Sequence, residues 1–423
     1  MRKNNNLLST FYSTIFILMA VPVLSQDSVS LRLVDAEKIF LEKNFLLLAA
    51  KYDVQAADAA IIQQRLYPNP FLAIDQGAFN PKSGTWFDAS KTGQTEVSLQ
   101  QVILLAGKRS KQVELAKINS ELAQFQFSDL IRTLRFELRT SFYGLHFLRQ
   151  SISVYDREIN LLMSLIDTYT LQYHKGNVPF KELARLQALQ FSLENERIAL
   201  MKEATEKQST LLLLTGDTLA RPVKTILENN APAIEPGNLI YDNLIESGLA
   251  NRFDLLAAQK HVSLSQSNFA LQRAYRVPDV LLGAHYDRAG NYIYNYNAIS
   301  LGLALPLWNR NQGNIRIAQY QIESHKRLQS LKEQQVKSEI GKALVQLSET
   351  DKLYKTVSIQ FNADYEKLLD GITLAYQEHT ISLLEFIDYY ETYKNSKIEF
   401  NHLQNNRFNA LENLNLATGT QLY

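Results

Sequence analysis

Glu385 and Asp388 stand three residues apart in the run Leu383-Leu-Glu-Phe-Ile-Asp388. On a helix, that spacing puts both carboxylates on one face. Brought close, such groups repel, raise each other's pKa and favour cations; spread in water, they are ordinary surface acids. A third carboxylate, Glu182, holds the same place in a related run of the first half. Other residue types narrow the chemistry. The chain has no cysteine, which excludes disulfides, thiolate metal sites and a cysteine nucleophile. Its histidines, at 146, 174, 261, 285, 325, 379 and 402, never pair at i,i+4, and no His-Glu-x-x-His occurs, so no bound metal is expected. No nucleophile elbow, phosphate loop or dinucleotide motif appears, so neither an enzyme nor a cofactor is expected. With 44 basic and 43 acidic residues, the chain lacks the basic excess of a nucleic-acid binder. Lys108-Arg109, with Lys111 close behind, opens a helix. It reads either as a membrane-surface anchor or as a solvated basic turn.

The elements that carry the acids come in two copies. Tyr173 to Leu183 matches Tyr376 to Phe386 at an offset of 203 residues, and Leu214-Thr215-Gly216 matches Ala417-Thr418-Gly419 at the same offset. Tyr67-Pro68-Asn69 matches Val277-Pro278-Asp279, and Gln101 to Arg109 matches Leu305 to Gly313. Offsets that drift between fixed landmarks are what duplication followed by loop change leaves behind. The expected division is a signal peptide over 1–25, a first repeat over 26–216, a Pro-rich linker over 217–237 and a second repeat over 238–423. The leader carries Arg2 and Lys3 before an apolar core and small residues before Gln26. Losing it would change the net charge from +1 to −1.

Each repeat reads as helix, strand, turn, strand, long helix, turn, helix. Leu31 to Leu66 is helical, and Pro68 and Pro70 stop it. Phe71 to Ala78, Thr95 to Ile103, Val280 to Arg288 and Ala298 to Pro306 read as strands. In the last, Ile299, Leu301, Leu303 and Leu305 alternate with small residues, as in a wall with lipid on one side. Tyr292, Tyr294 and Tyr296 read as a headgroup belt or as ordinary strand aromatics; they share parity with the small residues, so a belt needs a bulge or loop. Pro68, Pro70, Gly107, Pro278 and Pro306 mark the strand–helix junctions. The long helices, Gly107 to Tyr173 and Asn311 to Tyr376, carry seven-residue spacings such as Ile131, Leu138, Leu145, Ile152, Ile159 and Ile166, and Ile340, Leu347, Tyr354, Phe361 and Leu368. Sustained heptads specify coiled-coil packing. The fold class is mainly α with a small β part. No later segment approaches about 20 consecutive apolar residues, so the mature chain can span a membrane only as a β-barrel. Four strands cannot close one, which demands an oligomer; the strand count alone does not set its number.

The stretches Tyr67-Pro-Asn-Pro-Phe-Leu-Ala-Ile-Asp75, Ser98-Leu-Gln-Gln-Val-Ile-Leu-Leu-Ala-Gly-Lys-Arg109 and Leu305-Pro-Leu-Trp-Asn-Arg-Asn-Gln-Gly-Asn-Ile315, with the two turn motifs, resemble the TolC-like outer-membrane efflux proteins. Within that family they resemble the CzcC/CusC-like branch. The resemblance implies a homotrimer with a 12-stranded barrel in outer-membrane lipid, standing on a periplasmic helical tunnel. It implies a periplasmic adaptor (a membrane fusion protein) and an inner-membrane RND-type pump. The implied function is a passive exit duct for cations, heavy metals or small molecules. A protein-secretion duct of the type I class shares the fold, and a non-pore periplasmic coiled-coil protein is the alternative from another class. The implied location is the outer membrane with a periplasmic extension, reached by a signal peptide; no Cys follows the leader's apolar core, so a lipoprotein is not expected. The family's gate acids fall on Glu385, Asp388 and Glu182, and its adaptor-contacting tips on Gly176, Asn177, His379 and Thr380. Two positions depart from the pattern: His379 stands where the family has glycine, and Ile381 where it often has arginine.

Overall fold

The computed structural model describes residues 29–217, 222–227, 237, 239–289, 293–361, 364–378 and 380–422. The leader, most of the linker, Tyr292 and His379 lie outside them. The chain runs β1 (Val29–Arg32), α1 (Leu33–Lys43), α2 (Phe45–Arg65), β2 (Phe71–Gln76), β3 (Phe79–Asn80), β4 (Thr85–Trp86), β5 (Thr95–Ile103), α3 (Lys108–His174) and α4 (Phe180–Thr215). It continues through β6 (Val223–Ile226), α5 (Tyr241–Asn251), α6 (Phe253–Ala274), β7 (Val280–Ala289), β8 (Tyr294–Leu303), α7 (Gln312–Phe361), α8 (Asp364–Gln377) and α9 (Leu383–Thr418).

α3 holds 67 residues and is roughly 100 Å long at the standard helical rise. It packs on α2, α4, α6 and α9, while α7 packs on α5, α6 and α9. The heptad positions explain why. Leu138 and Leu145 are fully buried, Ile159 nearly so, and Leu148, Tyr155 and Leu162 fill the adjacent seam. In the second half Ile340 and Leu347 are fully buried, but Leu368 is 46% exposed. The heptad position thus opens to solvent near the start of α8, while Ile372 and Tyr376 further along the same helix are buried.

The helix expected over Leu31–Leu66 is a strand and two helices. Asn44 ends α1 and caps α2: its Oδ1 accepts from the Leu47 amide at 3.0 Å, and its Nδ2 donates to the Leu214 carbonyl at 2.9 Å. In the second half Arg252 separates α5 from α6 and donates to the Ala417 carbonyl at 3.3 Å. Leu214 and Ala417 are the very positions that the sequence match pairs. Each half thus ties its first helical corner to the end of its last helix. The linker is not all loop either. Its residues 223–226 form β6, which pairs in parallel with β1, Val29 opposite Val223.

The four long strands form one antiparallel sheet in the order β2-β5-β7-β8. β5 of the first half pairs directly with β7 of the second, Leu99 opposite Ala284. β2 and β8 are left as open edges. A separate two-stranded hairpin, β3–β4, sits in the loop between β2 and β5.

Candidate functional site

Two helical turns and one two-faced sheet hold the candidate residues. At the first turn α3 ends at His174, and Gly176 takes a φ of +76°. The Gly176 amide donates to the Tyr173 carbonyl at 2.9 Å and the Asn177 amide to the Gln172 carbonyl at 3.0 Å. This is a left-handed helix terminus, which glycine adopts without the Cβ penalty. Asn177 also donates from its side chain to Gln172 at 2.7 Å. Pro179 precedes α4, and Glu182 lies half-buried in that helix's first turn.

The second turn closes without glycine among its described residues. The Thr380 amide and hydroxyl both donate to the Ala375 carbonyl, at 2.9 and 2.7 Å. Ser382 then caps α9. Its Oγ accepts from the Glu385 amide at 3.3 Å, while Glu385 Oε2 accepts from the Ser382 amide and hydroxyl at 2.8 Å each. This reciprocal capping box turns the Glu385 carboxylate back onto its own helix terminus. The hydrogen bonds from the Ser382 backbone and side chain hold its carboxyl below the usual range. Asp388 differs: it is exposed, and its carboxylate has no hydrogen bond or ion pair among the described residues. Three residues apart, the two acids have unequal freedom.

Aromatic packing closes the second turn, and a shared apolar cluster joins it to the helices of the first. Tyr376 stacks on Phe386 at 4.5 Å, and Phe386 meets Tyr390 at 5.4 Å. The hydroxyls of Tyr169 and Tyr376 are hydrogen-bonded. Burial, that bond and the negative charge of Glu182 all raise the Tyr376 pKa. On α3, further from the turns, Glu158 is 1% exposed, and neither of its carboxylate oxygens has a hydrogen-bond partner among the described residues. Burial pushes its pKa up to about 8, against the pull of Lys394. Lys394 is committed elsewhere, donating to Glu196 at 2.7 Å. The Tyr155 hydroxyl donates to the same Glu196 oxygen at 2.8 Å.

The sheet separates its chemistry by face. Partners in register share a face. One face carries Leu72, Ile74, Val97, Leu99, Val280, Leu282, Ile299 and Leu301. Ile299 and Leu301 are 91% and 72% exposed, so this apolar surface lies open. The other face carries Ser98, Gln100, His285 and Ser300, and a row of carboxylates. Glu96 is opposite both Asp75 and Asp287, and His285 Nδ1 lies 3.4 Å from Glu96. Tyr294 and Tyr296 are in register with Ala289 and Asp287. That places them on the polar face, where Tyr296 meets His285 edge-on at 6.3 Å. Asn295 between them has a φ of +58°, yet the distortion does not turn the tyrosines outward. A headgroup belt built on these two is therefore not what the register gives. No described helix is long and apolar enough to cross a membrane.

A family model described as "Outer membrane efflux protein" matches residues 38–217 and 244–420. The chain belongs to the outer membrane efflux protein family. The cobalt-zinc-cadmium resistance protein CzcC of Cupriavidus metallidurans is 23% identical over 299 residues, covering 70% of this chain and 68% of the relative. Solved structures show the same fold. The Campylobacter jejuni CmeC outer membrane channel superposes with a TM-score of 0.77 at 14% identity, over 92% of this chain and 87% of that one. A CusC structure gives 0.72 at 16% identity, over 92% of each chain. The chain thus resembles CzcC in sequence and shares its fold with CmeC and CusC.

The junctions of this efflux protein show what the sequence reading missed. Pro68 and Pro70 follow α2, and the Pro68 carbonyl accepts from Gln101 at 2.9 Å. Gly107 and its counterpart Asn311 both take left-handed φ values, +65° and +58°, directly before the two long helices. Pro278 leads into β7 next to Asp279, and the Pro306 carbonyl accepts from Arg310 at 3.3 Å. Lys108 is neither a surface anchor nor a solvated turn. It is 3% exposed and donates to Asp279 at 2.6 Å and to the Val277 carbonyl at 2.7 Å. It clamps the first junction to the second. Arg109 stacks on Tyr67 at 3.8 Å. The capping box was legible as Ser-x-x-Glu before an apolar run. The buried Glu158 had no local signal.

Proposed function

We propose that this chain is the outer-membrane exit duct of a tripartite efflux system and that its cargo is cationic. The carboxylate row Asp75, Glu96 and Asp287, on the sheet face opposite the apolar residues, carries the reading. A sheet with open edges and an apolar face cannot stand alone in lipid. Three copies closing edge to edge give a barrel with the acid row repeated around its lumen. Rings of acidic side chains select cations. The cobalt-zinc-cadmium assignment of the CzcC relative agrees in charge class.

In this reading the two turns form the periplasmic entrance, where Gly176, Asn177, His379 and Thr380 meet an adaptor that links the duct to an inner-membrane RND-type pump. Asp388, Glu182 and Glu385 narrow that entrance, with Asp388 the freest of the three. Residues 1–25 serve as the export signal and are removed, 26–216 and 238–423 are the two copies of one duplicated unit, and the protein is neither a lipoprotein nor an enzyme. The purified protein in a planar bilayer should show cation selectivity in a salt gradient. Replacing the row by Asp75→Asn, Glu96→Gln and Asp287→Asn should abolish it. Anion-selective or absent conductance would overturn the reading.

A further inference from the structure

We propose that the loop between β2 and β5, including the β3–β4 hairpin, docks on the anionic headgroup layer at the outer end of the barrel. The inference rests on the barrel reading above. The loop presents three large aromatics to solvent: Phe79, Trp86 and Phe87 are 47%, 70% and 65% exposed. Phe79 and Trp86 face each other across the hairpin, rings 5.3 Å apart. Phe87 has a φ of +49°, a conformation that costs free energy for an aromatic residue and recurs at functional positions.

The loop is built to hold that arrangement. Asp88 accepts from the Asn80 side chain at 2.7 Å, the Ser83 hydroxyl at 3.1 Å and the Ser90 amide at 2.9 Å. A Cβ on Gly93 would fall 1.7 Å from the Asp88 carbonyl oxygen, so only glycine permits the closure. The loop's acid is thereby spent inside it. Its cations are not: Lys82 and Lys91 are exposed and have no ion pair among the described residues. Exposed aromatics beside free lysines match a surface that is part apolar and part phosphate.

The side of the sheet favours lipid over the lumen or a neighbouring copy. Gln76 donates to the Asp88 carbonyl at 2.9 Å, and Arg288 to the Ala89 carbonyl at 2.7 Å. By alternation Gln76 shares a face with Leu72 and Ile74, and Arg288 with Leu282 and Ala284. Both tethers therefore come from the apolar, lipid-facing side. The Arg288 tether also lies on β7, away from the open edge at β2 where a second copy would pair.

The chain has two tryptophans, so Trp308→Phe leaves Trp86 as the sole reporter. If that variant fails to fold, the difference between the natural protein and Trp86→Phe supplies the same signal. The full-length protein is reconstituted in phosphatidylcholine vesicles with or without phosphatidylglycerol, using lipids brominated near the headgroup. Trp86 emission should be quenched, more strongly with phosphatidylglycerol, and Lys82→Gln with Lys91→Gln should remove that excess. Emission quenched by aqueous iodide but not by lipid bromine overturns the proposal. So does shielded emission that neither quencher reaches, which means a neighbouring copy covers the loop. An excess that survives loss of both lysines overturns it too. Ile299→Trp, placed in a Trp86→Phe and Trp308→Phe background, separates the two readings. If acyl-chain bromine quenches it while Trp86 stays silent, only the docking fails; if it too is silent, the barrel reading falls and the docking with it.

Discussion

The two helical turns share one plan and close it with different chemistry. The first ends its helix through Gly176 in a left-handed conformation, and Glu182 follows in the first turn of α4 behind Pro179, with no side-chain cap bond there. The second restarts its helix through the Ser382–Glu385 capping box, which occupies the nearer of its two acids. The fold-back recurs at the two turns, but the state of the carboxylate that follows it does not. Equivalent positions in a repeat therefore need not be equivalent charges: Glu182 and Glu385 align in sequence, while Asp388 is the acid that stays available.

Breaking the packing that joins the turns should have the largest effect. Phe386→Ala removes a side chain that is 1% exposed and stacked on Tyr376. It should cost about 3–5 kcal/mol in denaturant unfolding and open both turns to proteolysis; cleavage confined to the second turn would show that the two are independent. Glu158 comes next. Its folded pKa of about 8 lies above the usual 4.5, so its contribution is fully present below pH 4.5 and is lost as pH rises through 8. Stability should fall across that window by about 5 kcal/mol, and Glu158→Gln should flatten the profile.

Gly176→Ala tests the first turn's own device and should cost about 1–2 kcal/mol, because φ is positive there. Ser382→Ala tests the second's and should cost about 1 kcal/mol. Equal sensitivity of both turns to both kinds of change would erase the contrast. The smallest stability effect belongs to Asp388→Asn, expected within about 0.5 kcal/mol because the side chain is exposed and unpartnered. Its effect should appear in single-channel conductance instead. A conductance that responds to Glu385→Gln and not to Asp388→Asn would reverse the ranking of the two acids.

Much of this was legible in residue order. The heptads found the buried seams at Leu138, Leu145, Ile340 and Leu347. The alternation at Ile299 to Leu305 found the apolar face. The prolines and Gly107 found the junctions. The break at Asn44 was missed although its cap on Leu47 is local; what buries that corner is a hydrogen bond to Leu214, 170 residues away. β6 was read as linker because a short parallel strand has no signal apart from its partner, β1. Lys108 was misread because a lysine is solvated by default, and only Asp279, 171 residues on, makes its burial tolerable.

The sequence by itself determined the periodicities, the recurring turn motifs and hence the class of fold. Those depend on neighbours within about one or two helical turns or one strand pair, where side-chain type sets backbone preference directly. Tertiary structure decided the strand order β2-β5-β7-β8, the sharing of one polar face by Asp75, Glu96 and Asp287, the burial of Glu158 and the ion pair that buries Lys108. Each of these is a matter of charge state and orientation. Such properties follow from desolvation and from donors brought close in space, and distance along the chain does not encode them.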